Sequence, residues 1–379
     1  MRVLALTRSY PNPYLSSYAT YNQSHFQHLR ELVDVDLLVP IPWFRKGFRT
    51  GFRGSALSND VAYPTFWYPP RIMAADRWRF YYRSIRRAAL SAPKPDVIYS
   101  LWVSPDGAAC QHLGNEMGVP VVMKSGGSDI HSVDPAAREV TQRALRTADQ
   151  LITVSKALGD DAIELGLPPK QLTVVYNGID QQMFHIQDGA QARQRVGLPA
   201  EPFIFCCVAR LHPVKNLGLM IDAFAQMQKK DCLLTLIGDG PERQALERQA
   251  ISSGAGDRIR FVGETAYEEI PHWINASDAI TLSSHNEGVP NTLIEALSCG
   301  RPVVSTRVGG IAEVVQPPEH GLLVPAGQVK EYANALDWVA TQSWDRARLR
   351  QSISQYTWDQ NAQNTMACFE NVIEQFKRT

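Results

Sequence analysis

Short apolar runs of strand length recur along the chain, separated by stretches in which apolar residues return every three or four positions. VLALT, VDLLVP, DVIYSLW, PVVMKS, QLITVS and LTVVY mark the first half; FIFCCVA, LLTLIG, IRFVG, AITLSS, PVVST and GLLVP mark the second. Strands that alternate with helices in this way build parallel sheets covered on both faces. The rhythm breaks once, near YNGIDQQMF at residues 176–184, and a polar stretch follows before it resumes. The pattern therefore predicts an α/β chain of two parallel-sheet domains, 1–184 and 185–355. A last segment, 356–379, carries Trp358, Ala362, Met366, Phe369, Ile373 and Phe376 at helical spacing and is expected to pack across a domain surface.

Composition supports two cores, since 379 residues with 44 % hydrophobic content are ample for two globular domains. No segment approaches the roughly 20 apolar residues that cross a bilayer, so the expected place is the cytoplasm. Six cysteines stand without paired metal spacing, two of them inside FIFCCVA, and read as reduced core thiols. Net charge is zero, yet residues 41–95 hold eleven Lys or Arg against Asp60 and Asp76, interleaved with twelve Trp, Phe and Tyr. That mixture suits an anionic membrane surface, which predicts a peripheral protein at the inner face of the cell membrane. The alternative is a solvated helix with its aromatics in the core. Nucleic acid is disfavoured because no binding motif accompanies the charge.

Candidate chemistry concentrates in HNEGVPNTLIEALSCGRPVV, residues 285–304. Glu287 and Glu295 could be an acid and base pair, but in one continuous helix they would lie about 12 Å apart along the axis, and Pro290 breaks continuity. A strand ending near Ser283, a loop EGVPN and a helix starting near Asn291, capped by that side chain, fit better. Such a helix start suits a phosphate, and Glu295, one turn in, could hold sugar hydroxyls. No glycine-rich diphosphate turn follows either domain's first strand, which argues against a nicotinamide enzyme. ARLHPVKN instead places Arg210 and Lys215 at the second strand-to-helix junction, where they fit a departing diphosphate.

ARLHPVKN, LIGDGPERQAL, FVGE, EGVPNTLIEALSCGRPVVSTRVGGIAEVV and HGLLVPAG, with TVSKAL and VVYNGID upstream, resemble glycosyltransferase family 4 in order and spacing. The resemblance implies the GT-B fold, two Rossmann-like domains facing a cleft, with the C-terminal helix crossing back to the first domain. It implies a UDP- or GDP-sugar donor, transfer with retention and neither cofactor nor metal. By the same resemblance Arg210 and Lys215 bind the diphosphate, Glu287 the transferred sugar and Glu295 the ribose. The backbone of Val289, Pro290, Asn291, Thr292 and Leu293 faces the donor, Gly238 and Gly240 line the nucleotide end, and Val262 meets the base.

The first domain departs from the family. KSGGSDIHS puts Gly126, followed by Gly127, where many members have a cleft histidine, while Asp129 is kept and His131 follows. Either His131 or Asp129 takes part of that role, or the leaving phosphate accepts the acceptor's proton; the last is favoured here. Ser16, Ser17 and Tyr18 replace the glycines usual in the N-terminal loop and imply a specialised acceptor. His25 and His28 read as structural. The expected reaction is sugar transfer to a hydroxyl of a glycan acceptor, lipid-linked, in surface polysaccharide or glycolipid synthesis. The rivals are a nucleotide-sugar epimerase or a glycan phosphorylase of the same fold, and a nucleotide-sugar-binding protein without catalysis.

Overall fold

The computed structural model describes residues 1–14, 19–44, 61–67, 73–131 and 133–378. Ser16, Ser17, Tyr18 and the basic stretches 45–60 and 68–72 lie outside these. The strands are β1 (Arg2–Leu6), β2 (Asp34–Leu38), β3 (Ile41–Pro42), β4 (Val61–Ala62), β5 (Thr65–Phe66), β6 (Val97–Ser100), β7 (Val121–Ser125), β8 (Gln150–Thr153) and β9 (Leu172–Val174). They continue with β10 (Phe203–Val208), β11 (Cys232–Ile237), β12 (Ile259–Gly263), β13 (Ala279–Leu282), β14 (Val303–Thr306) and β15 (Gly321–Val324).

The chain divides into two compact units, Met1–Gly178 with Trp358–Thr379, and Ile179–Thr357. Residues 179–184 thus go with the second unit. Ile179 donates its N–H to the Tyr356 carbonyl, and the Phe184 carbonyl accepts from Ser298 and Arg350.

In the first unit a sheet of order β4-β2-β1-β6-β7-β8-β9 is parallel throughout. Its strands are apolar at nearly every position because both faces are covered. Val3 and Ala5 pack into one core layer with Phe26, Tyr99 and Phe369, while Leu4 and Leu6 pack into the opposite layer with Tyr81, Ile85 and Met123. The period of two along β1 assigns each residue to its side. The terminal helix Trp358–Arg378 closes the first of these layers: Phe369 meets the Tyr99 ring edge-on at 5.0 Å, and Asn361 Oδ1 accepts from His25 Nδ1 at 2.6 Å. Burial holds His25 well below its ordinary pKa, so it is a neutral core residue.

The aromatics of residues 73–95 are mostly core residues rather than a membrane face. The helix Arg77–Ser91 buries Trp78, Tyr81, Ile85 and Ala89, and Trp78 stacks on His112 at 4.4 Å. Arg79, Arg83, Arg86 and Arg87 stay exposed. Among the described aromatics of residues 41–95, Trp43 and Trp67, stacked at 5.3 Å, are the exposed ones, with Trp67 60 % exposed. Among the described residues no helix is long and apolar enough to cross a membrane.

The second unit's sheet runs β12-β11-β10-β13-β14-β15, also all parallel. Chain order reverses between β10 and β13. Loops leaving neighbouring strands at such a reversal diverge to opposite faces and leave a crevice at the carboxyl edge, which is where this architecture binds ligands.

Candidate active site

Arg210 and Lys215 lie on the loop leaving β10, and Glu287 on the loop leaving β13, so the reversal of strand order brings the expected donor residues together. The backbone fixes this meeting. His285 donates its N–H to the Val214 carbonyl at 2.8 Å, and the Ser283 hydroxyl reaches the carbonyls of Lys215 and Asn216. Lys215 Nζ then stands 2.6 Å from Glu287 Oε1, and the Ser284 hydroxyl donates to the same oxygen at 2.6 Å. Arg210 is exposed, and its guanidinium makes no hydrogen bond or ion pair among the described residues.

A glycine lets the second loop sit where it does. Gly309, at φ +50°, is so close that a Cβ there would lie 1.7 Å from the Glu287 carbonyl oxygen, and the next N–H, of Gly310, donates to the Gly288 carbonyl. Gly238 and Gly240 play the same part after β11. A Cβ on either would fall 2.1 or 2.2 Å from the carbonyl oxygens of Ala209 and Leu211, which flank Arg210. Both glycines therefore shape the loop that carries Arg210.

The helix following Glu287 runs Asn291–Ser298 and begins differently from the sequence reading. Its N-cap is Pro290, in extended conformation, whose side chain makes no capping hydrogen bond to the first turn. Asn291 is already inside the helix, one position too late to fold back on the N–H groups. Those first-turn groups carry the partial positive charge that draws an anion. Thr292 anchors the start by donating to the Val208 carbonyl at 3.3 Å. Val289 and Leu293 point into the core and leave only backbone for the crevice. Glu295 is buried and accepts from the Tyr267 hydroxyl at 3.1 Å, while burial raises its carboxyl pKa to about 7. Val262 is half-buried on β12. Glu287 and Glu295 thus have separate partners. Sequence reasoning missed Ser284, Tyr267 and Gly309; only Ser284, three residues before Glu287, carried a local signal.

In the first unit the departures from the family pattern take definite shapes. Gly126 is exposed, and a Cβ there would meet nothing within 4 Å. Gly127 sits at φ +120° with its N–H on the Ser125 hydroxyl. Asp129 is buried, accepting from the Val103 N–H at 2.7 Å and the Ser125 hydroxyl at 2.6 Å, and burial raises its pKa. His131 Nε2 is 2.6 Å from Asp161. These contacts engage Asp129 and His131 within their own unit. At the reversal of the first sheet, between β1 and β6, Arg8 pairs with the buried Asp106 at 2.7 Å. A cavity of about 180 Å³ adjoins it, lined by Arg8, Arg77, Trp102, Ser104 and Ser128 among others.

Residues 18–178 match the glycosyl transferase 4-like domain, and residues 188–357 match glycosyl transferases group 1. A D-inositol 3-phosphate glycosyltransferase of Frankia alni is 30 % identical over 277 residues, 67 % of this chain and 68 % of that protein. The chain belongs to this glycosyltransferase family. The glycosyltransferase is also 28 % identical, over 72 % of its length, to an N-acetyl-alpha-D-glucosaminyl L-malate synthase of Bacillus anthracis, of which it covers 70 %. It spans 61 % of the length of the D-inositol 3-phosphate glycosyltransferase of Kribbella flavida, at 28 % identity over 64 % of this chain. In fold it is similar to the sucrose-phosphate synthase of Thermosynechococcus elongatus, with a TM-score of 0.78 and 20 % identity, covering all of this chain and 97 % of that one. Anabaena HepE in complex with UDP and glucose gives a TM-score of 0.71 at 22 % identity, over 100 % and 98 % of the two chains. The fold is GT-B, each unit a Rossmann-like parallel sheet.

Proposed function

We propose that this glycosyltransferase moves a sugar, with retention, from a UDP- or GDP-sugar to a hydroxyl of a glycan acceptor, lipid-linked and used in surface polysaccharide or glycolipid synthesis. The carrying observation is the convergence of Lys215, Arg210, Glu287 and the start of Asn291–Ser298 at the strand-order reversal of the second unit. Two cations and a helix start lie on the loops that leave the two strands of this reversal, which suits a diphosphate whose charge grows as its bond to the sugar breaks. That positive charge belongs to the protein's own groups, so the reading assigns no metal or organic cofactor. Glu295, beside Tyr267, serves the ribose hydroxyls, and Glu287 the transferred sugar.

In this reading the bond from the anomeric carbon to the diphosphate oxygen breaks while a bond to the acceptor oxygen forms on the same face. The acceptor's proton passes to the leaving phosphate oxygen, giving glycosylated acceptor and nucleoside diphosphate. The engagement of Asp129 and His131 by Ser125, Val103 and Asp161 supports a phosphate base over either side chain. On the first unit, the cavity beside Arg8 and Arg77 suits an acceptor with a negative group near its hydroxyl. Two relatives are named for anionic molecules, L-malate and D-inositol 3-phosphate. HepE, similar in fold, is described in complex with UDP and glucose, which favours a uridine donor. The exposed arginines of Arg77–Ser91 and the Trp43–Trp67 pair support peripheral contact with an anionic bilayer on the cytoplasmic side.

The deciding assay incubates the protein with a panel of sugar nucleotides, with and without glycan acceptors. Acceptor-stimulated release of nucleoside diphosphate is expected. Exchange at carbon 2 of the sugar, or tight binding without turnover, would replace this reading with an epimerase or a binding protein.

A further inference from the structure

The second unit holds another charged hollow, at the amino edge of its sheet and away from the strand ends that carry Lys215 and Glu287. It measures about 520 Å³ and is lined by the start of the helix Gly189–Val196, by Asn275, Ala276 and Asp278 ahead of β13, by Arg301 ahead of β14, and by Arg346. Three guanidiniums, of Arg193, Arg301 and Arg346, face one lining carboxylate. That carboxylate is already committed: Asp278 accepts from Arg193 at 2.6 Å and from the Ile204 N–H at 2.8 Å. The nearby Asp188 is occupied as the cap of its helix, accepting from the Gln191 N–H.

Arg301 and Arg346 therefore have no carboxylate at ion-pair distance among the described residues. Arg346 holds the carbonyls of Gln187 and Cys299 and the side chain of Asn275. Arg301 is only 8 % exposed, yet of its five N–H groups it spends one, from Nη2 to the Asn275 carbonyl at 2.5 Å. Its Nε is sealed without a partner. A buried cation with a sealed donor and no carboxylate partner is costly unless an anion offsets its charge. Burial and the neighbouring Arg346 push its pKa down to about 10, a sign of the same uncompensated charge. The positive end of the helix at Gly189 and Ala190 adds to the field.

We infer that this cavity is a second anion site, which takes the phosphate group of a small molecule on Arg301, Arg346 and the helix start at Gly189. Its volume admits more than a bare phosphate, so a sugar monophosphate is accommodated as well as the free ion.

Calorimetric titration of the whole chain with inorganic phosphate and, separately, with a sugar monophosphate tests this. The comparison set is wild type, Arg301→Gln, Ala190→Glu and Lys215→Ala. Saturable binding should weaken about tenfold or more in Arg301→Gln, which loses a charge-assisted donor. It should weaken similarly in Ala190→Glu, which places a carboxylate at the rim on an exposed helix start that tolerates it. Lys215→Ala should leave it unchanged. Tighter binding of the sugar phosphate would identify a metabolite site, and equal binding a site for free phosphate. Binding that survives both cavity substitutions, that disappears in Lys215→Ala, or that is absent in wild type at about 10 mM ligand overturns the inference. Because the readout is binding and not sugar transfer, its outcome is independent of the proposed reaction.

Discussion

Lys215 Nζ lies 2.6 Å from Glu287 Oε1, so the cation proposed for the diphosphate is paired with the carboxylate proposed for the sugar. Both side chains are largely covered, Lys215 being 22 % and Glu287 11 % exposed. In such surroundings a partner's removal changes the remaining charge more than a surface pair would. In the proposed reaction a donor's diphosphate would compete with Glu287 for the ammonium.

Removing the cation should therefore be costly to turnover. Lys215→Ala is expected to lower kcat/KM about 100-fold, in the range for losing a group that stabilises developing charge. A steady-state comparison showing less than a threefold loss would remove Lys215 from the diphosphate role.

Removing the carboxylate should have opposite effects on binding and on chemistry. Glu287→Gln frees Lys215 for the diphosphate, so the nucleoside diphosphate should bind several-fold more tightly while transfer slows. Calorimetry on the variant checks the first part and initial rates the second; weaker nucleotide binding would contradict the pairing argument.

Glu295 gives a pH signature. Its folded-state pKa, about 7, stands above the ordinary 4.5, so the folded protein holds this proton more tightly than the unfolded chain. Stability from this group is full below about pH 4.5, falls as pH rises towards 7, and stays low above that. The total is on the order of 3 kcal/mol at most. Glu295→Gln should melt higher than wild type at pH 8, with the gap closing towards pH 5. Donor KM, which needs the carboxylate ionised, should rise as pH falls below 7.

Gly309 should be intolerant of any side chain. Gly309→Ala places a methyl against the Glu287 backbone at a positive φ, and the loop must move. A loss of about 2 kcal/mol or more is expected, together with weaker donor binding. Gly126→Ala, at an open position, should change the melting temperature by no more than about a degree.

His131→Asn tests the proton's destination. With Nε2 held by Asp161, the ring is a scaffold group in this reading, and kcat should stay within about threefold of wild type. A large loss of kcat with preserved melting temperature would make His131 the base.

Membrane contact, if it uses the exposed arginines, should be electrostatic. Arg83→Glu with Arg87→Glu should weaken cosedimentation with anionic vesicles, and added salt should do the same. Arg86 is a poor probe because it pairs with Glu116, and a glutamate there would repel it. Equal binding to neutral and anionic vesicles would rule out this contact.

All twelve long strands, the two-unit division and the terminal helix were legible in the sequence, because a strand buried on both faces must be apolar along its length and a surface helix must be apolar every three or four residues. The buried cysteines and the structural role of His25 followed from the same patterning. The spacing of Glu287 and Glu295 around Pro290 was likewise enough to separate them. Tertiary structure decided the rest. Lys215 and Glu287 are 72 positions apart and meet only because β13 lies beside β10 and not beside β12, a matter of strand order. Tyr267 reaches Glu295, and Gly309 reaches Glu287, through loops whose courses no local pattern encodes. Pro290, not Asn291, became the helix cap because a one-residue shift in helix start is too small for sequence propensity to resolve. Trp78 and Tyr81 entered the core while their neighbouring arginines stayed out, since which face of an amphipathic helix meets protein depends on what folds against it.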